Sequence, residues 1–347
     1  MNLTFFNRYG SSASATVSAP QPIHRRATIA CIVLAFIGLM LQISTVSAAD
    51  ESDNQHRVLL HGKKGLVVVE PDGSIGWQMD WGGIHDLHLL PNGHILTRQG
   101  PATVVEIDPS KKEVVWSYDC GKQGGNEGKR IEIHAFEPLP SGNLMIAESG
   151  AQRLIEVNRE GEIVHKIALQ VEHPNAHTDT RLVRRLDSGN YLVAHEADGK
   201  AREYNHDGDV VWEYEVPMFG KQTAGGHGPE AFGNRLFAAL RMESGNTLIA
   251  SGNGHSILEV TPEKEIVWEV HQNDLPGIRL AWVTTLQILE NGNYVIGNCH
   301  AGPGQPILIE IEPSTKKVVW QLDRFKDFGN NVSNSVVIDD AKLNWLD

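Results

Sequence analysis

Five glycine turns punctuate the chain: Pro91-Asn92-Gly93, Pro140-Ser141-Gly142, Asp187-Ser188-Gly189, Glu243-Ser244-Gly245 and Glu290-Asn291-Gly292. Their glycines fall 49, 47, 56 and 47 residues apart. In step with them, apolar pairs run into tryptophan at Val114-Val115-Trp116, Val210-Val211-Trp212, Ile266-Val267-Trp268 and Val318-Val319-Trp320. Ile75-Gly76-Trp77 precedes the first turn, and Ile163-Val164-His165 puts His in the Trp position. A repeat of about 48 residues with several short strands per unit predicts a β-propeller, in which each unit buries its faces only by stacking on its neighbours.

One unit illustrates the pattern. Residues 87–90 read as a first strand, and Asn92-Gly93 supplies the left-handed backbone of a tight hairpin. Residues 95–97 and 103–107 follow as strands, Asp108-Pro109-Ser110-Lys111 as a turn, and 113–118 as the fourth strand. Val114, Val115 and Trp116 offer bulk to both faces, as a blade sandwiched between two others requires. The Trp series is expected to pack between blades. The Glu recurring in the third strand (Glu106, Glu156, Glu203, Glu259, Glu310) is expected to be a structural hydrogen-bond acceptor and not five active sites.

Complete units start near Ile84, Ile133, Thr180, Leu236 and Thr284. Ahead of them, 58–60, 66–70 and 74–79 give three strands with none before. Behind them, Ser335-Val336-Val337-Ile338-Asp339 gives one strand with none after. Three plus one complete a sixth blade from both chain ends and remove the open sheet edges. The expectation is an all-β, six-bladed propeller with four antiparallel strands per blade, one domain over 50–347. Seven blades is the alternative count.

Residues 1–49 do not read as part of the ring. Arg25-Arg26 precede an apolar run over 27–43, and Val46-Ser47-Ala48 or Ser47-Ala48-Ala49 fits a cleavage site. The uninterrupted apolar part, 29–41, is short for a span. The segment therefore reads as a signal peptide with a long leading region, an uncleaved anchor being the alternative. The mature chain is expected to be exported, periplasmic or extracellular, and to meet a membrane only if that segment stays attached. Cleavage removes three of the 30 basic residues and no acid, leaving 27 against 43 and a net charge of −16. Such a surface repels nucleic acid backbones. Cys120 and Cys299 are the remaining cysteines, too few for a disulfide framework, although one bond is allowed.

In a four-stranded meander, the turns after strands one and three share one face of the disc. The turns after strand two and the blade connections share the other. The first face is uniform here, whereas the second carries long segments at 119–132, 170–179, 215–235, 271–282 and 298–305. Binding and catalysis concentrate on such loops over a rigid scaffold. His61, His85, His134, His173, His177, His195, His227, His255, His271 and His300 lie on or beside that face. His85 and His134 each fall seven residues before the Asn or Ser of a turn, and Arg181, Phe237 and Thr284 hold the same position in later blades. This places His85, His134 and Arg181 around the channel mouth on consecutive blades, with His177 and His227-Gly228-Pro229-Glu230 just upstream of inner strands. Imidazole serves as metal ligand, base or nucleophile near neutral pH. No spacing matches a recognised metal motif. The candidate catalytic residues are His134, His177 and His227. The candidate ligand-binding residues are His85, Arg181, Glu230, Trp282 and His300. Cys299-His300 is a weak nucleophile pair, because adjacent side chains diverge on extended backbone.

The units Glu106 to Trp116 and Glu310-Ile311-Glu312-Pro313-Ser314-Thr315-Lys316-Lys317-Val318-Val319-Trp320 resemble the PQQ-type propeller repeat. The Pro-Asn-Gly turn, followed by a strand and Glu-Ile or Glu-Val, is similar to repeats of bacterial arylsulfotransferase-like propellers. The likeness covers 57–340. PQQ-dependent dehydrogenases usually have eight blades and often an adjacent-cysteine disulfide, whereas this chain counts six and has no Cys-Cys pair. The arylsulfotransferase likeness implies a funnel histidine, with His134, His177 and His227 as positional candidates. The sequence identifies no cofactor.

Three readings follow. The first is a monomeric exported propeller binding a small molecule, glycan or protein at its uneven face. The second is a transferase or hydrolase using a funnel histidine. The third is a structural or assembly propeller without a small ligand.

Overall fold

The computed structural model describes residues 55–341, 343, 345 and 346, and the segment read as a signal peptide lies outside them. The described residues form six four-stranded antiparallel sheets. Blade 1 joins Ser335–Val337 to Val58–Gly62, Gly65–Val69 and Ile75–Met79. Blade 2 runs His88–Leu89, Ile95–Gln99, Thr103–Asp108 and Glu113–Asp119. Blade 3 runs Glu132–Pro138, Leu144–Ser149, Arg153–Val157 and Ile163–Ala168. Blade 4 runs Val183–Arg185, Tyr191–His195, Lys200–Tyr204 and Val210–Glu215. Blade 5 runs Ala238–Arg241, Thr247–Ser251, Ser256–Val260 and Ile266–Val270. Blade 6 runs Trp282–Ile288, Tyr294–Cys299, Leu308–Glu312 and Lys317–Leu322. The inner strands start up to four residues away from their expected positions. Trp282, read as the end of a connection, instead opens the inner strand of blade 6.

The core lies between blades, as alternation along the strands dictates. Leu59, Leu66 and Val68 of blade 1 pack with Leu87, Ile95 and Val105 of blade 2. Val58, Leu60, Val67 and Val69 point the other way, against Ile307, Leu308 and Leu322 of blade 6. A strand buried on both faces needs apolar residues at every position, which is why Val67-Val68-Val69 is continuous.

The repeated Trp and Glu tie each blade to the next. The indole Nε1 of Trp77, Trp116, Trp212 and Trp268 donates to the carbonyls of Pro109, Arg159, Pro262 and Pro313, each on the outer turn of the following blade. Opposite Trp116, Trp212, Trp268 and Trp320 stands the repeated Glu, whereas Trp77 faces Val68, and in each case the register slips by one residue, a bulge that bends the outer strand. Glu156 accepts from Arg185 and Tyr191, and Glu203 from Arg241, all in the next blade. The expected structural role of these carboxylates is therefore met.

Ring closure follows the expected pattern. Val58, Leu59 and Leu60 pair with Val337, Val336 and Ser335. His56 bridges Glu310 at 2.9 Å and Asp339 at 2.6 Å, joining the ends of the chain to blade 6. Near the axis, Asp86 of blade 2 holds Arg184 of blade 4 through two contacts of 2.9 Å, across the inner edge of blade 3. Phe136 N donates to the same carboxylate at 3.1 Å and Asn334 Nδ2 at 3.2 Å. This buried pin lies between a cavity at the loop-face mouth and one at the turn-face mouth.

Candidate functional site

The inner-strand position picked out by turn spacing does circle the channel mouth. His85, Arg181, Phe237 and Thr284 line a cavity of about 120 Å³ on the loop face, and Ser333 fills the corresponding place beside the closing strand. His134 sits just beneath, its ring centroid 4.6 Å from that of His85 and 5.4 Å from that of His177. It is the extra residue of a bulge between Ile133 and Ala135, which interrupts the regular pairing at that point.

Three connections bring the other groups in. Asn175 and Asp179 fold the segment before blade 4: Thr178 N and Asp179 N donate to Asn175 O, while Asp179 receives Gly150 N. That turn suspends His177 over the opening. The hairpin closed by Ala224 and Phe232 carries His227, whose ring lies 4.8 Å from Trp282 and 5.2 Å from His300. His300 follows Cys299 with φ 63°, a left-handed backbone anchored by its N–H to Asn330 O.

Burial and neighbouring cations set the protonation of this cluster. Burial, then the charges of neighbouring His134 and Arg181, push His85 well below its ordinary value. Burial, followed by the Arg181 charge, brings His134 down to about 3. Burial also lowers His300. These three imidazoles are neutral at pH 7 and offer one donor and one acceptor each. Arg181 is ion-paired with Glu196, and Glu196 is also held by Arg235 at 2.9 Å. Arg235 is half-exposed at the cavity wall and keeps donors free. With Arg98 nearby, three guanidinium groups face two carboxylates, Glu132 and Glu196, a net positive spot in a strongly acidic chain. Such a concavity concentrates anions.

His85, His177, Arg181, His227, Trp282 and His300 thus surround one cavity, and His134 is buried behind His85 without lining it. Glu230 stands apart, exposed and paired with Arg279 at 2.8 Å. Other loop-face histidines hold structure. His195 is buried between Asp179 O and Tyr204 Oη, His255 bonds Ala231 O, and His61 bonds Trp81 O. Cys120 and Cys299 are free and buried.

Sequence reasoning missed Glu132, Glu196 and Arg235. Glu132 had a visible signal, lying two residues before His134 on the same inner strand, although the bulge at His134 could not be read from the sequence. Glu196 and Arg235 had none, because they meet only through the packing of blades 4 and 5. The turn-face cavity is larger, about 370 Å³, but its charged groups are engaged: Arg184 with Asp86, Arg241 with Glu203, and Glu137 with Arg185 N.

Residues 63–322 match the profile of the PQQ-type repeat family described as outer membrane protein assembly factor BamB. No curated protein matches the chain. Among solved structures, a protein of unknown function from Bacteroides caccae is similar with TM-score 0.66 and 24% identity, over 81% of this chain and 98% of that one. A streptogramin B lyase gives TM-score 0.51 and 12% identity over 76% and 77%. Catalytically inactive virginiamycin B lyase from Staphylococcus aureus, with quinupristin, gives 0.51 and 12% over 79% and 87%. At such identities the likeness is one of fold. Pyrroloquinoline quinone itself does not fit the loop-face cavity: about 120 Å³ is well below the ~300 Å³ at which small-molecule sites begin.

Proposed function

The chain belongs to the PQQ-type repeat family described as outer membrane protein assembly factor BamB, and from that premise we propose an exported propeller that binds a small anionic group in its loop-face funnel. Among the described residues no helix is long and apolar enough to cross a membrane, and export rests on the sequence of residues 1–49. The observation carrying the binding reading is the convergence of Arg181, Arg235 and neutral imidazoles with Trp282 on one small cavity. Its volume suits a carboxylate, sulfate or phosphate with a few attached atoms, free or at the end of a glycan chain, and is too small for a drug-sized ligand. Arg235 supplies charge, the imidazoles supply directed donors, and Trp282 with His227 supplies a flat apolar wall.

Binding accounts for the chemistry better than a transferase or hydrolase centred on His134. An imidazolium titrating near 3 belongs to a very weak base, poorly matched to proton transfer at neutral pH. The assembly reading draws on the family description and on the exposed Val115, Val164, Val211 and Val267 along the outer strands of four adjacent blades.

The test is melting and calorimetry with sulfate, phosphate, acetate and uronate oligosaccharides. One of them raises the melting temperature through preferential binding to the folded state. Arg235→Ala and His227→Ala each weaken that binding about tenfold, and Glu230→Ala leaves it alone. The reading fails if no anion shifts melting, or if all three variants bind like the parent.

A further inference from the structure

Glu132, His134 and His177 gather three donor atoms at one point, and the anion-binding reading does not account for it. Glu132 Oε2 lies 3.4 Å from His134 Nε2 and 2.7 Å from His177 Nδ1, and all three atoms are within 4.8 Å of one another. A separation of 3.4 Å is long for a hydrogen bond. It is close to the edge of a tetrahedron around a zinc-sized ion, about 3.3 Å for bonds of ~2.0–2.1 Å, whereas the 2.7 Å contact to His177 is a hydrogen bond that must open by roughly 0.6 Å to admit the ion. The second carboxylate oxygen is occupied by Arg130, which leaves Oε2 facing the two rings.

The surroundings favour a ligating tautomer. His134 Nδ1 lies 3.0 Å from the Thr180 carbonyl, the backing that fixes a metal-binding imidazole with its Nε2 lone pair outward. Beside it, His85 Nδ1 is enclosed and has no hydrogen-bond partner among the described residues. A competing arrangement exists. Arg181 Nη1 is 2.8 Å from His134 Nδ1, and if it donates there, His134 must present N–H to Glu132 and no ion can enter. Arg181 meets Glu196 through Nε, so Nη1 keeps its own donors, and an ion can enter only when Nη1 releases His134 Nδ1.

We infer that Glu132, His134 and His177 form a site for a divalent transition-metal ion of the zinc type, with a water or His85 completing its coordination. Two imidazoles and one carboxylate suit Zn²⁺, Co²⁺ or Ni²⁺ and not the all-oxygen preference of Ca²⁺ or Mg²⁺. Because His177 also lines the funnel, the ion adjoins the ligand cavity. The inference stands independently of the anion-binding reading, which is tested at Arg235 and His227.

The second group of potential ligands, Glu172, His173 and Asp198, is a natural control. Asp198 there already accepts from the backbone N–H groups of Glu172 and His173 and from Arg202. Chelator-stripped protein is titrated with Zn²⁺ by calorimetry and with Co²⁺ by visible absorption. One Zn²⁺ binds per chain and raises the melting temperature, and Co²⁺ gives the intense visible bands of a four-coordinate site. His177→Ala, at a half-exposed position, keeps the fold, weakens Zn²⁺ binding about tenfold or more and abolishes the melting shift. Glu132→Gln does the same, and His173→Ala changes nothing. Absence of stoichiometric binding by the parent overturns the inference. So does binding that survives His177→Ala, or is lost in His173→Ala. Should Glu132→Gln fail to fold, the His177→Ala result decides.

Discussion

Replacing Asp86 with Ala removes the acceptor that holds four blades at the channel axis. Asp86 is fully buried, and the Arg184 side chain paired with it is only 18% exposed. The substitution leaves that guanidinium nearly enclosed without a counter-charge, and strips an acceptor from Leu87 N, Phe136 N and Asn334 Nδ2. Breaking a buried pair by deleting one partner costs about 3–5 kcal/mol, a large share of the ~5–15 kcal/mol that stabilises a typical domain. With ~2.1 cal/mol/K of unfolding entropy per residue, the melting temperature falls by about 5–8 °C for a propeller of this length. Equilibrium urea unfolding and thermal melting by circular dichroism measure both quantities. Asp86→Ala/Arg184→Met recovers part of the loss, because no unpaired charge is then buried. Lys122→Ala, which breaks an exposed pair with Asp119, is a control expected to change stability by less than ~1 kcal/mol. Burial raises the Asp86 carboxyl, but Arg184 and His88 outweigh it and hold it well below the carboxylate range. Its contribution is therefore present above the unfolded value of about 3.9 and is lost only as pH falls through the depressed folded value. The deficit of Asp86→Ala persists from pH 6 to 8, because the Arg184 charge it leaves unpaired does not titrate there. A loss under ~1 kcal/mol, or a double variant no better than the single, refutes the pin.

Three further outcomes follow from the same geometry. Burial, followed by the Arg202 charge, pushes His195 down to about 4. Its share of stability, of order 3 kcal/mol, is complete above pH ~6.5 and lost as pH falls towards 4; His195→Gln flattens that slope in urea unfolding, and an unchanged slope removes the assignment. Trp268→Phe keeps ring packing but deletes the donor to Pro313 O, costing about 1 kcal/mol in urea unfolding, and a neutral result makes the indole N–H irrelevant to blade docking. Truncation after Asn334 removes the strand paired with Val58–Gly62, so hydrogen exchange there accelerates and melting drops; unaltered melting denies the closure any energetic role.

Most of the scaffold was legible because its rules act over a few residues. The turn glycines adopt φ between 82° and 87° at Gly93, Gly142, Gly189, Gly245 and Gly292, a backbone that side chains disfavour, so their spacing counts blades. The Trp–Glu pairs recur in four blades because those blades meet their neighbours in the same way. The channel mouth was partly legible for the same reason: one register position per inner strand supplied His85, His134 and Arg181.

What lay beyond the sequence was everything decided between blades. Asp86 and Arg184 are separated by 98 residues, and nothing local to either announces the other. His195 and His255 share the loop face with His177, which its place upstream of an inner strand had singled out, but only the packed ring shows that those two are buried in hydrogen bonds while His177 opens onto the cavity. Periodicity and turn chemistry determine which strands exist and how many blades they form. Which imidazoles, guanidinium groups and carboxylates become neighbours is decided only when the ring closes, because distances across the channel depend on how all the blades stack and not on any segment alone.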